Sequence, residues 1–286
     1  MRIIDTYSDI KSLFQSMNNG FNLEQWKLYA DDILNGLSEK LLADSKGYDF
    51  ENDILPVLNL VYKNDKLDEA HNSFLEVISD LNERIVTATG GELQVAIVFY
   101  VGLCNGAGWA TELNGEKLIL LGVEKIIELD WCDINNIRGL IYHEIGHIWH
   151  KTVGRFYQEI KSTCDKSIMQ LYQEGIAMYF EQLVTNDFNH YHQNENNWLN
   201  WCIDNKKKIA AEYLKRLKSD ESTQDFFGDW NNYQGYSNVG YFIGCEFVKR
   251  LAKNYTQNEF LNLDIDTIYK EFVKYAVNAY SSKGLQ

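Results

Sequence analysis

Apolar positions recur every three or four residues along most of the chain and cluster differently in only one stretch. FNLEQWKLYADDILNGL, residues 21–37, places Leu23, Trp26, Leu28, Ile33, Leu34 and Leu37 near helical spacing, and LDEAHNSFLEVISDLNERIV, residues 67–86, repeats the pattern. Both predict helices that turn one face to a core. The texture changes at Gly90-Gly91. LQVAIVFYVG, residues 93–102, is a short run of Val, Ile and aromatics and predicts a buried strand. GWATEL and EKLILL then flank Asn114-Gly115, a two-residue hairpin signal because both central positions of such a turn take positive φ. A sheet of about three strands is expected here. Helix resumes with DINNIRGLIYHEIGHIWHK and continues to IYKEFVKYAVNAY near the end. The expected fold is α+β and mainly helical: an N-terminal helical region over 1–88, then over 89–286 a small sheet followed by helices. Pro56 is the only proline and no Ser/Gly-rich linker appears, so the two parts are expected to form one compact unit.

Charge and cysteine content narrow the function classes. The net charge is −14 and the pI about 4.9. Such a surface repels phosphate backbones, which argues against nucleic acid as a partner. Five scattered cysteines with no CxxC pair read as reduced thiols, with neither a disulfide framework nor a cysteine zinc site. The first twenty residues contain no apolar signal-peptide core, and no apolar run has the length of a membrane span. A cytoplasmic protein without a membrane partner is expected.

The candidate chemistry lies in HEIGHIWH, residues 143–150, which holds three of the six histidines. Asp133 is placed to cap the helix, and Ile134, Ile137, Ile141, Ile145 and Ile148 give it an apolar face. His143 and His147, at i and i+4, project from one face a turn apart and can converge on one ion. Glu144 is adjacent to the first of them but points round the helix, as a base beside a metal-bound water would. Buried imidazoles need partners, and a metal provides them.

A third ligand is required. The longer motif HExxHxxGxxH fails, because its glycine position holds His150 and its last histidine position Val153. SIMQLYQEGIAMYFEQLV, residues 167–184, offers Glu174 in an apolar helical setting, where an inward carboxylate is costly unless paired or ligated. Glu181, seven residues on, is the weaker candidate. Glu159 and Asp165 read as solvated charges, and His190 and His192 as members of a polar Asn-rich loop. His150 reads as a surface residue or a support for the site.

HEIGH followed by EGIAMYF resembles the gluzincins, zinc peptidases with an HExxH helix and a downstream glutamate ligand. More narrowly, the chain is similar to a family of predicted bacterial zinc-dependent proteases whose HExxH is followed by an EGLA-type motif and a Gly-Tyr-x-x-Gly stretch. Here these are His143 to His147, Glu174-Gly175-Ile176-Ala177 and Gly240-Tyr241-Phe242-Ile243-Gly244, over roughly residues 90 to 250. The resemblance implies a zincin-like fold, zinc on His143, His147 and Glu174, Glu144 as general base, and a peptide or protein substrate. It also implies an edge strand beside the active-site helix that takes substrate backbone, for which Gly108 to Leu113 is placed in sequence. The position four after Glu174, an orienting carboxylate in some gluzincins, holds Met178 here. The oxyanion needs a donor besides the metal; Tyr241 is the first candidate and Tyr236 the second. Two other readings stay open: a regulatory protease dedicated to one partner, and a non-catalytic zinc-containing binding protein.

Overall fold

Asn114 (φ 53°) and Gly115 (φ 78°) both adopt left-handed backbone and close the expected tight hairpin. It joins β3 (Gly108–Leu113) to β4 (Glu116–Gly122), with Leu113 opposite Glu116. β2 (Ala96–Tyr100) runs parallel to β4 on its other side. The computed structural model describes residues 1–17, 20–63, 65–194, 196–228 and 232–281. Within them the sheet has four strands, because β1 (Arg2–Asp5) pairs parallel with β2, giving the order β1-β2-β4-β3. β1 lies in the stretch expected to be helical. It is four residues long and largely exposed, so its local pattern carries no strand signal; its partner is more than ninety residues away. β2 and the second half of β4 are buried throughout, which explains their unbroken apolar runs.

The chain divides into two compact units, Met1–Glu144 and Ile145–Gln286. Besides the sheet, the first contains α1 (Tyr7–Ser16), α2 (Leu23–Ile33), α3 (Leu37–Asp44), α4 (Leu55–Lys63), α5 (Lys66–Ile78), α6 (Leu81–Thr89) and α7 (Val123–Glu128). The periodic stretch over 21–37 is broken by extended backbone at Leu34 and left-handed backbone at Gly36 (φ 82°). The stretch over 67–86 is interrupted after Ile78. Trp26 is fully buried, and its indole N–H donates to the Val101 carbonyl (3.0 Å), tying α2 to the end of β2.

The boundary between the units falls inside one continuous helix, α8 (Ile134–Val153). Asp133 caps it as expected: its Oδ1 accepts from the backbone N–H groups of Asn135 (2.9 Å) and Asn136 (3.3 Å). The second unit continues with α9 (Thr163–Thr185), α10 (Trp198–Ser219), α11 (Val239–Asn254), α12 (Gln257–Leu261) and α13 (Ile265–Ser281). Small residues set its crossings. A Cβ on Gly146 would meet the backbone of Ala177 at 2.7 Å, and one on Gly175 would meet that of Gly244 at 2.4 Å. Thus α8 meets α9, and α9 meets α11, backbone against backbone. The molecule is mainly helical with a small sheet. Among the described residues, no helix is long and apolar enough to cross a membrane.

Candidate metal centre

His143 and His147 lie one turn apart on α8, and Gly146 between them lets α9 approach closely. That contact brings Glu174 to His147: Glu174 Oε2 is 3.4 Å from His147 Nε2. Two donors each about 2.0–2.1 Å from a tetrahedral ion stand roughly 3.3–3.4 Å apart. The pair is therefore spaced as two ligands of one zinc-sized ion. His143, one turn earlier on the same continuous helix, is a second imidazole available to such an ion. Two imidazoles and one carboxylate are a donor set suited to zinc and leave a coordination position open. The residues present fit such an ion.

Glu144 is 9% exposed, and its Oε2 accepts the backbone N–H of Ala110 on β3 (2.8 Å). β3 is an outer strand of the sheet, so this N–H points away from β4, toward α8. The strand comes this close because residue 108 has no side chain. A Cβ on Gly108 would meet Leu140 Cδ1 at 2.7 Å and Glu144 Cγ at 2.9 Å. The strand expected from sequence to flank the histidine helix does so within the first unit.

Glu181 has a different setting. It is completely buried, and its two oxygens lie 2.7 Å from His190 Nε2 and 2.8 Å from His192 Nδ1. Burial works against its charge, but the neighbouring imidazoles of His192 and His190 outweigh this and hold the carboxyl down to about 2. His190 and His192 are thus not simply members of a polar loop. No local signal marked them: they lie nine and eleven residues after Glu181 in a segment of polar composition.

His150 is sealed, with no exposed surface. Its ring packs edge-on against Phe156 (5.2 Å) and Tyr172 (5.3 Å). Burial, then the neighbouring His147, pushes its imidazole down to about 3, partly opposed by the Leu261 carbonyl. It is a neutral core residue rather than a surface one. Tyr241 lies in the first turn of α11 and packs edge-on against Phe227 (5.6 Å), while Tyr236 stacks on Trp201 (4.1 Å). The glycines on either side of Tyr241 have packing roles: Gly240 abuts the Phe227 ring, and Gly244 the backbone of α9.

Compared with protein-family models, curated proteins and solved structures, the chain matches none significantly.

Proposed function

We propose that the chain is a zinc-dependent peptidase of zincin-like type, with His143, His147 and Glu174 holding the ion and Glu144 as general base. The observation that carries this reading is the ligand-pair separation of 3.4 Å between His147 and Glu174, with His143 one turn before His147 on the same helix. When bound, the ion would supply an acidified water and polarise the scissile carbonyl. Glu144 takes the proton and returns it to the leaving amine. Its bond to Ala110 fixes the carboxylate's direction before substrate arrives. The same outer strand offers backbone groups to an extended peptide, so base and substrate share one support. Tyr241 is the proposed oxyanion donor, with Tyr236 the second choice.

The test is zinc content and peptide cleavage measured together. The native chain should carry about one zinc and cleave peptides. Glu174→Ala should lose most of the metal. Glu144→Gln should keep it and lose turnover by about 10²–10⁴-fold. Full zinc in Glu174→Ala would remove Glu174 from the ligand set, and full turnover in Glu144→Gln would overturn the catalytic reading.

A further inference from the structure

The second unit contains a positively charged hollow in a chain of net charge −14. It encloses about 740 Å³, a size typical of small-ligand sites. α10 contributes Lys206 and Lys207; α11 contributes Lys249, Arg250 and Lys253. Glu246 is the single acid in the wall. Lys206 and Lys249 both bond to it, the latter at 2.9 Å. Among the described residues of the lining, five cations stand against one carboxylate, four net positive charges in one concavity. Arg250 and Lys253 have no ion pair among the described residues, and Arg250 offers the planar fork that grips phosphate or carboxylate oxygens two at a time.

The lining is aromatic as well as cationic. Tyr275 lines the same hollow and is only 6% exposed, with the Lys206 ammonium 5.8 Å from its ring centroid. Phe188, on the wall, is 48% exposed and leans on Tyr179 at 6.2 Å. The hollow is therefore lined by aromatic rings and cations together, while the rest of the acidic surface repels the anions this hollow attracts.

We propose that this hollow is a binding site for a small, multiply charged anion of the polyphosphate class, held between the cations of α10 and those of α11. One phosphate group would use only part of four positive charges spread over two helices. A linear chain of phosphates reaches both. The proposal does not depend on the peptidase reading.

The experiment is calorimetric titration of the full chain with inorganic tripolyphosphate at low salt. The metal sites are kept out of the readout by using protein treated with chelator and then freed of it. One site per chain is expected, weakened at least tenfold in the double variant Arg250→Glu/Lys253→Glu. Inorganic monophosphate should bind at least tenfold more weakly than tripolyphosphate. Arg250 is half-buried and Lys253 exposed, and an unchanged thermal melt of the double variant shows that it is folded. Should that variant melt early, Lys253→Glu alone is the substitute, with a severalfold loss expected. Absence of binding, binding undiminished in the folded charge variant, or equal affinity for monophosphate would each overturn the proposal. Binding of a polyglutamate peptide in preference to tripolyphosphate would overturn it in favour of an acidic polypeptide.

Discussion

Glu124 and Glu181 are both sealed from solvent, one in each compact unit, yet their surroundings drive them in opposite directions. Glu124 sits at the start of α7, where its oxygens accept the backbone N–H groups of Gly102 (2.8 Å) and Cys104 (3.1 Å). Burial nevertheless pushes its carboxyl up to about 7, with those amides only partly opposing. Glu181 has lost the same hydration but has an imidazole on each oxygen, and is held at about 2. Satisfying the oxygens is therefore not enough to keep a buried acid ionised; a group that can carry positive charge beside it is. In the first unit the acid ties the loop after β2 to the start of α7. In the second it ties the loop after α9 to the helix that carries Glu174.

The largest stability effect that would break this comparison belongs to Glu181. Glu181→Ala leaves two imidazoles facing an apolar gap, and removing one partner of a buried charged group costs about 3–5 kcal/mol. Chemical denaturation of metal-free protein at pH 7 should show that loss. A loss below about 1 kcal/mol would mean that the two histidines find other partners and that Glu181 is no anchor.

Glu124 should give a smaller effect with a distinctive pH profile. Its folded value lies above that of the unfolded chain, so the folded state keeps its proton between about pH 4.5 and 7 while the unfolded chain releases it. The contribution is fully present below about pH 4.5, declines as pH rises to about 7, and is flat above. The decline is at most about 3 kcal/mol. Glu124→Gln removes the titration but gives up one of the two acceptors, so it should flatten the profile and raise stability at pH 8 by about 1–2 kcal/mol. Denaturation curves at pH 5 and pH 8 check both statements. An unchanged slope in the variant would show that another group is responsible.

What was legible in the sequence follows from how local each signal is. Asn114-Gly115 states its turn in two residues, and β3 and β4 follow from it. His143 and His147 are one helical turn apart, and the apolar face around them marks the helix as buried. Glu174 is visible as an acid among apolar residues, because the environment that makes it costly is written on its own helix. β1 was not legible: Arg2 to Asp5 become a strand only because β2 offers an open side far along the chain. The clamp on Glu181 was missed for the same reason in miniature. His190 and His192 lie among polar residues whose composition reads as a solvated loop, and only the fold turns them inward. The glycines of the motifs were legible as positions but not as reasons. Gly146, Gly175 and Gly244 are required by helix crossings that no single segment reveals.

The smallest expected effect separates the two glutamates of α9 from each other. Glu174 and His147 are partly open, with side chains 19% and 14% exposed, whereas Glu181 is closed. A partly solvated pair contributes little to folding, about 1 kcal/mol or less. In chelator-treated protein, Glu174→Ala should therefore shift the unfolding free energy by no more than that, far less than Glu181→Ala. With zinc restored the order should reverse in metal content: the Glu174 variant fails to hold the ion, since binding that favours the folded state is lost with its ligand. A metal-free loss as large as that of Glu181 would make Glu174 a structural acid, because a ligand kept for an ion has no reason to hold the helices together without it.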